Sequence, residues 1–317
     1  MTPPRIVAVV GPTASGKSAL AVELAKRFGG EIVSCDSMQI YRGMDIGTAK
    51  PSPAEMEGIP HHLIDVVDPA EPFSAADYAP LAKAAIDDIL ARGRLPILCG
   101  GTGLYLDAVI TANQYADTDT DPSLRASLLA DAERYGADDL WKRLYAVDPQ
   151  SAAEIHPNNV KRVARALEIY LSSGIPKSEW DRRSRSHPRP YDVTLLAIEH
   201  PDRQTLYDRI DRRVTVMAEM GLVDEVRSLL ESGRLPRNST AAQAIGYKEI
   251  IAHLDGDCTE AEALDAIRLN SRRYAKRQLT WFRRNSDINW LIADANFEVI
   301  VNNAEKLLTK RGFCAIM

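Results

Sequence analysis

The segment Gly11-Pro12-Thr13-Ala14-Ser15-Gly16-Lys17-Ser18 narrows the possible folds of this chain more than any other stretch. It fits G-x-x-x-x-G-K-[ST], a pattern that carries meaning only between a strand and a helix. Both flanks are present. Arg5–Val10 is a nearly all-apolar run, as expected of a strand buried on both faces of a parallel sheet. Residues 19–28 then place Leu20, Leu24 and Phe28 at helical spacing and stop at Gly29-Gly30. Glycines let successive backbone N–H groups turn toward an anion, and the helix N-terminus adds its positive end. Lys17 supplies a point charge for terminal phosphates, and Ser18 a hydroxyl for Mg²⁺. The motif alone leaves open which phosphate compound binds, ATP or another.

The alternation continues through the first third of the chain. Residues 31–35, 62–67 and 95–99 read as strands and 77–92 as a helix, a pattern that builds a parallel α/β sheet. After residue 112 it changes. Residues 111–121 are polar and turn-rich, and helices are predicted over 123–135, 137–146, 151–155 and 160–173 with no strand between them. Asn158-Asn159 offers an N-cap for the last of these and Gly174 a stop. Residues 180–190 read as a basic, proline-broken linker. A strand over 193–199 then resumes the sheet, followed by helices over 202–220, 222–232 and 259–284, a strand over 288–292 and a terminal helix. The expected fold is α/β: a P-loop NTPase-like parallel sheet core (1–112 and 191–317) with an all-helical insertion domain (113–190). A chain of 317 residues can hold both.

Composition narrows the function. Apolar residues at 45% and charged residues at 26% are ordinary for a globular protein. No apolar run approaches the ~20 residues of a membrane span, and the chain enters a strand too early for a leader peptide. Four scattered cysteines form no CxxC pair, so neither a disulfide framework nor a zinc site is indicated. A soluble, cytoplasmic protein is expected. The net charge of −5 argues against a protein that coats nucleic acid, yet residues 266–286 carry seven Arg/Lys and no acid. Arg268, Arg272 and Lys276 recur every four residues and so share a helix face. A concentrated basic strip on an acidic chain fits one polyanionic partner met in a fixed orientation.

Two residues converge on the phosphate loop. Asp36 follows strand 31–35, and Thr102 follows strand 95–99 through Gly100-Gly101. Ligands of parallel sheets sit outside the carboxyl ends of strands, so Lys17, Asp36 and Thr102 are expected around one crevice. A hydrolysing P-loop enzyme usually places an acid at the end of a second strand, and strand 95–99 ends without one. His61-His62 are neighbours in a strand and point to opposite faces, which speaks against a metal pair. Cys35 and Cys99 read as buried packing thiols, and Trp141, Trp180 and Trp290 as anchors.

Six runs, in order, resemble one family, the tRNA dimethylallyltransferases of bacterial type. They are the loop 11–18; Asp36-Ser37-Met38-Gln39-Ile40-Tyr41 with Asp45-Ile46-Gly47-Thr48-Ala49-Lys50-Pro51; Gly100-Gly101-Thr102-Gly103-Leu104-Tyr105; His156-Pro157-Asn158-Asn159 with Arg162 and Arg165-Ala166-Leu167-Glu168; Gln243-Ala244-Ile245-Gly246-Tyr247-Lys248-Glu249; and Lys276-Arg277-Gln278-Leu279-Thr280-Trp281-Phe282-Arg283. Ala242 stands where a methionine is expected, and no Cys/His finger follows residue 284. The resemblance implies transfer of a dimethylallyl group from dimethylallyl diphosphate to N6 of adenosine 37 in tRNAs reading UNN codons. It implies Mg²⁺ as cofactor, residues 11–18 (Gly11, Pro12, Thr13, Ala14, Ser15, Gly16, Lys17, Ser18) as the diphosphate site, and Asp36, Thr102 and Arg209 as catalytic. It also implies that the insertion grips the anticodon stem-loop. The implied tRNA contacts are Asp36, Ser37, Met38, Gln39, Thr102, Arg125, Lys161, Arg162, Val163, Ala164, Arg165, Gln243, Gly246, Tyr247, Lys248, Arg272, Lys276 and Arg277, with a monomer expected. An adenylate isopentenyltransferase and a small-molecule kinase are the alternatives.

Overall fold

A computed structural model describes residues 3–111, 122–186, 188–294 and 296–315. In chain order the first part holds β1 (Arg5–Val10), α1 (Lys17–Phe28), β2 (Gly30–Ser34), α2 (Pro53–Met56), β3 (His61–His62), α3 (Ala75–Ala91), β4 (Leu95–Gly100) and α4 (Gly103–Ile110). A helical stretch follows: α5 (Pro122–Tyr135), α6 (Ala137–Val147), α7 (Pro149–Glu154), α8 (Val160–Ser173) and α9 (Lys177–Ser186). The chain then forms β5 (Asp192–Glu199), α10 (Arg203–Glu219), α11 (Leu222–Glu231), α12 (Tyr247–Leu254), α13 (Glu260–Phe282), β6 (Asn289–Ile292) and α14 (Phe297–Lys310). Two compact units result: Met1–Ile110 with Tyr191–Met317, and Thr111–Pro190. The start of the helical stretch expected at residue 113 lies outside the described residues. Among those described, no helix is long and apolar enough to cross a membrane.

The strands of the first unit form a parallel sheet in the order β3-β2-β4-β1-β5-β6. Ile6–Val10 are fully buried, as the apolar run requires of a strand with neighbours on both sides and helices on both faces. From β1 the chain moves out to β2 and β3, returns through β4, and crosses to β5. The carboxyl end of β1 is therefore the switch point at which such sheets bind ligands. α1 starts at Lys17, two residues earlier than its apolar spacing suggests, because the loop feeds directly into it. It ends at Gly29 (φ +63°), whose N–H bonds the Ala25 carbonyl. α3 and α13 each open with a capping box, Ser74 with Asp77 and Thr259 with Glu262.

Three local expectations are corrected. The strand predicted over 62–67 is only His61–His62, because Leu63 and Asp65 take left-handed backbone angles (φ +62° and +59°) that no strand tolerates. Residues 180–190 are not all linker, since α9 runs to residue 186. Lys177 pairs with Asp181, and Glu179 with Arg182 and Arg183, at helical spacing, while Pro176, Pro188 and Pro190 lie outside it. Asn159 caps α8 by position, but its side chain makes no capping hydrogen bond. α4 and α12, each 8 residues long, were too short for their periodicity to be read.

The first unit also has a second core between α10, α11, α12 and α13, and the segment 40–49 packs into it. Glu225 of α11 organises that segment. Its carboxylate accepts the backbone N–H groups of Asp45 (3.0 Å), Ile46 (2.7 Å) and Gly47 (3.1 Å), and the Tyr247 hydroxyl (2.6 Å). Gly47 lies against the Tyr247 ring, where a Cβ would come within 2.4 Å of Cε2. Tyr247 is fully buried and tethered through its hydroxyl, so it cannot swing aside. Gly47→Ala is therefore expected to lower unfolding stability by about 1–3 kcal/mol. Urea or thermal unfolding measures this directly, and an unchanged midpoint would show that the contact can relax.

Candidate active site

The loop after β1 winds through positive φ at Gly11 (+143°), Ala14 (+60°) and Gly16 (+99°). Such turns aim consecutive N–H groups into one concavity. Two long-range groups brace it. Arg209 of α10 donates from Nε to the Ala14 carbonyl (2.8 Å), and Gly16 sits with its missing Cβ 3.9 Å from the same guanidinium. Arg213, one turn further along the same face, donates to Thr13 Oγ1 (3.1 Å) and to the Thr48 carbonyl (3.4 Å). Arg209, implied as catalytic by the resemblance, thus lies against the phosphate loop. Arg213 was missed, although i, i+4 spacing from Arg209 was a signal that both reach one place.

The electrostatics of the loop are those of a site built for an anion. Lys17 donates weakly to the Pro12 carbonyl (3.4 Å) and, among the described residues, makes no salt bridge. Burial pushes its ammonium below the usual lysine range and nearby Arg213 adds to this, while Cys99 and Asp36 pull the other way. Burial likewise lowers Arg213, again opposed by Asp36. Desolvated cations of this kind gain from a bound polyanion, because it restores the charge partners they lack. Ser15 Oγ is buried with no hydrogen-bond partner among the described residues, a further group that a phosphate oxygen could satisfy.

Whether the residues suit a divalent cation can be tested on the same loop. No cluster of three His, Cys, Asp or Glu able to hold a metal occurs among the described residues. What the loop offers is the exposed Ser18 beside an anion cradle. This donor set fits Mg²⁺, which keeps waters and takes substrate phosphate oxygens in preference to an all-protein cage.

Asp36 and Thr102 meet across the ends of β2 and β4. Ser37 N–H donates to Thr102 Oγ1 (3.0 Å), the Thr102 hydroxyl reaches Ser37 Oγ (3.3 Å), and Thr102 N–H donates to the Cys35 carbonyl (3.2 Å). Burial pushes the phenol of Tyr274, on α13, up to about 12. Asp36 accepts the Met38 N–H on Oδ1 (2.9 Å), which fixes the carboxylate, and the residue is half-buried. Gln39 donates to the Thr48 (3.4 Å) and Ala49 (3.1 Å) carbonyls and accepts Ser34 Oγ (3.3 Å), so its amide is held in place. Met38 packs against the second core. Gln278 of α13 spans the crevice, accepting the Thr13 N–H and donating to the Gly101 carbonyl, both at 2.9 Å. Sequence reasoning missed Gln278, which lies far along the chain from the residues it touches.

The implied RNA contacts divide by exposure. Lys276, Arg277, Lys248 and Gln243 are exposed in the first unit, and Arg277 lies over the Tyr274 ring at 5.5 Å. Arg272 is committed elsewhere: its Nε donates to Asp211 (2.9 Å), a second contact joins the same groups, and the guanidinium lies over Tyr207. Arg268 pairs with Asp265 and reaches Thr215. The basic strip thus has acids after all, one from the preceding helical turn and one from α10. Tyr247 and Gly246 are buried, and Tyr247 is a core residue tied to Glu225. In the second unit Lys161, Arg162 and Arg125 are exposed, whereas Val163 and Ala164 are fully buried in its core. Their side chains cannot touch RNA. Arg125 and Arg165 flank the buried Glu168 carboxylate, at 2.8 and 3.0 Å. His62 pairs with Glu31, Cys35 and Cys99 are buried, and Trp141 donates to the Ala152 and Ile155 carbonyls.

Comparison with known proteins finds relatives over nearly the whole chain. A family model described as IPP transferase matches residues 39–285. A tRNA dimethylallyltransferase of Geobacillus thermodenitrificans is 52% identical over 286 residues, covering 90% of each chain. One from Halalkalibacterium halodurans is 50% identical over 295 residues, covering 93% of each. The crystal structure of full-length tRNA isopentenylpyrophosphate transferase from Bacillus halodurans superposes with a TM-score of 0.73 at 46% identity, covering 96% of both chains. A eukaryotic dimethylallyltransferase acting on tRNA superposes with a TM-score of 0.81 at 30% identity, over 96% of this chain and 78% of that one. With a family model matched over residues 39–285 and relatives at least half identical over 90% or more of its length, the chain belongs to the IPP transferase family, that of the tRNA dimethylallyltransferases.

Proposed function

We propose that this protein transfers a dimethylallyl group from dimethylallyl diphosphate to N6 of adenosine 37 in the anticodon stem-loop of tRNAs reading UNN codons, releasing diphosphate. The observation that carries this reading is the proximity of two unlike half-sites at the carboxyl ends of β1, β4 and β2. One is a cationic anion cradle, and the other a carboxylate whose chain neighbours Cys35 and Ser37 hydrogen-bond Thr102. An exocyclic adenine amine is a weak nucleophile, because its lone pair is delocalised into the ring. It needs a base to take its proton as the nitrogen attacks, and Asp36 is that base. Thr102 orients the amine. As the N6–C1 bond forms, the allylic C1–O bond breaks, and its electron pair leaves on the diphosphate. Lys17, Arg209 and the loop amides meet that growing charge. Mg²⁺, held by Ser18 and phosphate oxygens, supplies further neutralisation when bound. No water has to be activated, which agrees with β4 ending in Gly100-Gly101 without a carboxylate.

The target base must leave its stack, at a cost of a few kcal/mol, and a loop base does so most readily. Lys276 and Arg277 of α13, with Arg125, Lys161 and Arg162 of the helical unit, are our candidates for holding the RNA backbone. Replacing Lys276 and Arg277 by alanine is expected to weaken stem-loop binding and flatten its log–log salt dependence by ~0.7 for each phosphate no longer neutralised. Equal slopes for the two proteins would remove this end of α13 from the footprint. On this reading the protein acts as a monomer on cytoplasmic tRNA. Labelled dimethylallyl diphosphate offered with a stem-loop, AMP, or ATP alone tests the reading. Label in the stem-loop is expected; label in AMP alone, or phosphoryl transfer from ATP, would replace it.

A further inference from the structure

We infer that Gln278 is a positioning residue that sets the distance between the two half-sites, an inference that rests on the transferase reading. Its side-chain amide makes one hydrogen bond to each side of the crevice. Oε1 accepts the Thr13 N–H of the phosphate loop, and Nε2 donates to the carbonyl of Gly101, the residue before Thr102, both at 2.9 Å. Gln278 is 5% exposed, so water hardly competes for either bond. Both attachment points are themselves fixed. Thr13 is held from the other side by Arg213. Gly101 is pressed so closely on Gln278 that a Cβ there would stand 2.1 Å from Nε2, and a Cβ on Gly103 would stand 2.2 Å from the Trp281 ring. α13 therefore grips the β4–α4 turn through two glycines, and Gln278 bolts that turn to the phosphate loop.

The loop carries the departing diphosphate, and Thr102, with the Asp36 it neighbours, carries the attacking amine. Gln278 spans the gap along which the new N–C bond forms without touching either substrate. Displacing bound reactants by about 1 Å from attack geometry costs on the order of 10²-fold in rate. Loss of this span should therefore act on turnover and leave each substrate's binding alone. The same helix carries Arg277 and Lys276 immediately before Gln278, so RNA held by α13 is registered directly against the loop.

The test compares the parent enzyme with Gln278→Met and Gln278→Leu, both of which keep most of the volume, lose both hydrogen bonds and add no charge beside the phosphate loop. Thermal unfolding shows which variants are folded, and the Leu variant carries the test if the Met variant is not. The readouts are kcat for transfer, the Kd for inorganic diphosphate and the Kd for a stem-loop RNA. The expected result is a kcat lower by ~10–100-fold, with both Kd values within about threefold of the parent. A folded variant with parental kcat would overturn the inference, as would one whose loss lies in either Kd with kcat unchanged. A parent that transfers no label at all would instead overturn the transferase reading, and the inference with it.

Discussion

Asp36→Ala should lower transfer to the stem-loop by ~10²–10⁴-fold while leaving RNA and diphosphate affinity close to the parent values. The size of the effect follows from the chemistry. Without a base, the nitrogen must attack while still carrying its proton, and the intermediate charge has no counter-ion. Affinity should survive because the cradle for the diphosphate is built by residues 11–18, Arg209 and Arg213. The backbone around residue 36 is held independently, by Thr102 N–H on the Cys35 carbonyl and Ser37 N–H on Thr102. Asp36→Asn is the stricter comparison. It preserves the Oδ1 acceptor for the Met38 N–H and removes only the basicity, so its rate should fall as far as that of alanine. A variant with parental kcat would transfer the role of base to another group.

Lys17→Ala is the second large effect, a loss of ~10²–10³-fold in kcat, the usual consequence of removing one charge-stabilising donor from a transition state. Lys17 stands in a desolvated loop, with its ammonium already weakened by burial and by Arg213. Such a charge costs stability in the free protein and is recovered when phosphate oxygens surround it. The variant is therefore expected to fold at least as stably as the parent while turning over far more slowly. Steady-state kinetics alongside thermal unfolding separate the two. A parallel loss of stability and activity would mark Lys17 as structural.

These two residues were legible because they belong to contiguous patterns. The loop 11–18 and the strand ends at Asp36 and Thr102 are local features, and parallel topology alone predicts that they converge. What remained hidden is carried by side chains that arrive from far along the chain. Gln278 lies 265 residues from Thr13 and Arg213 lies 200 from it, and no periodicity reports such contacts. Tertiary structure also reassigned residues whose motif was suggestive. Tyr247 stands among the implied RNA contacts, but its hydroxyl is committed to Glu225 and its ring to Gly47. Val163 and Ala164 share a motif with exposed basic neighbours, yet they lie on the apolar face that α8 turns into its core. Arg272 lay on an acid-free stretch of sequence and found its acid on α10. Residues 180–186 read as linker from their basic composition ahead of two prolines, but Glu179 and Asp181 supply the i, i+3 and i, i+4 pairs that hold a helix.

In the proposed reaction the exocyclic amine of one loop adenosine is the nucleophile. This is tested most directly with two stem-loops, one carrying adenosine at position 37 and one carrying inosine, whose base has no such amine. Each is offered with labelled dimethylallyl diphosphate under single-turnover conditions. Label is expected in the adenosine stem-loop and none in the inosine one, with equal binding of both. Equal labelling of the two RNAs, or none in either while the protein consumes ATP, would contradict it.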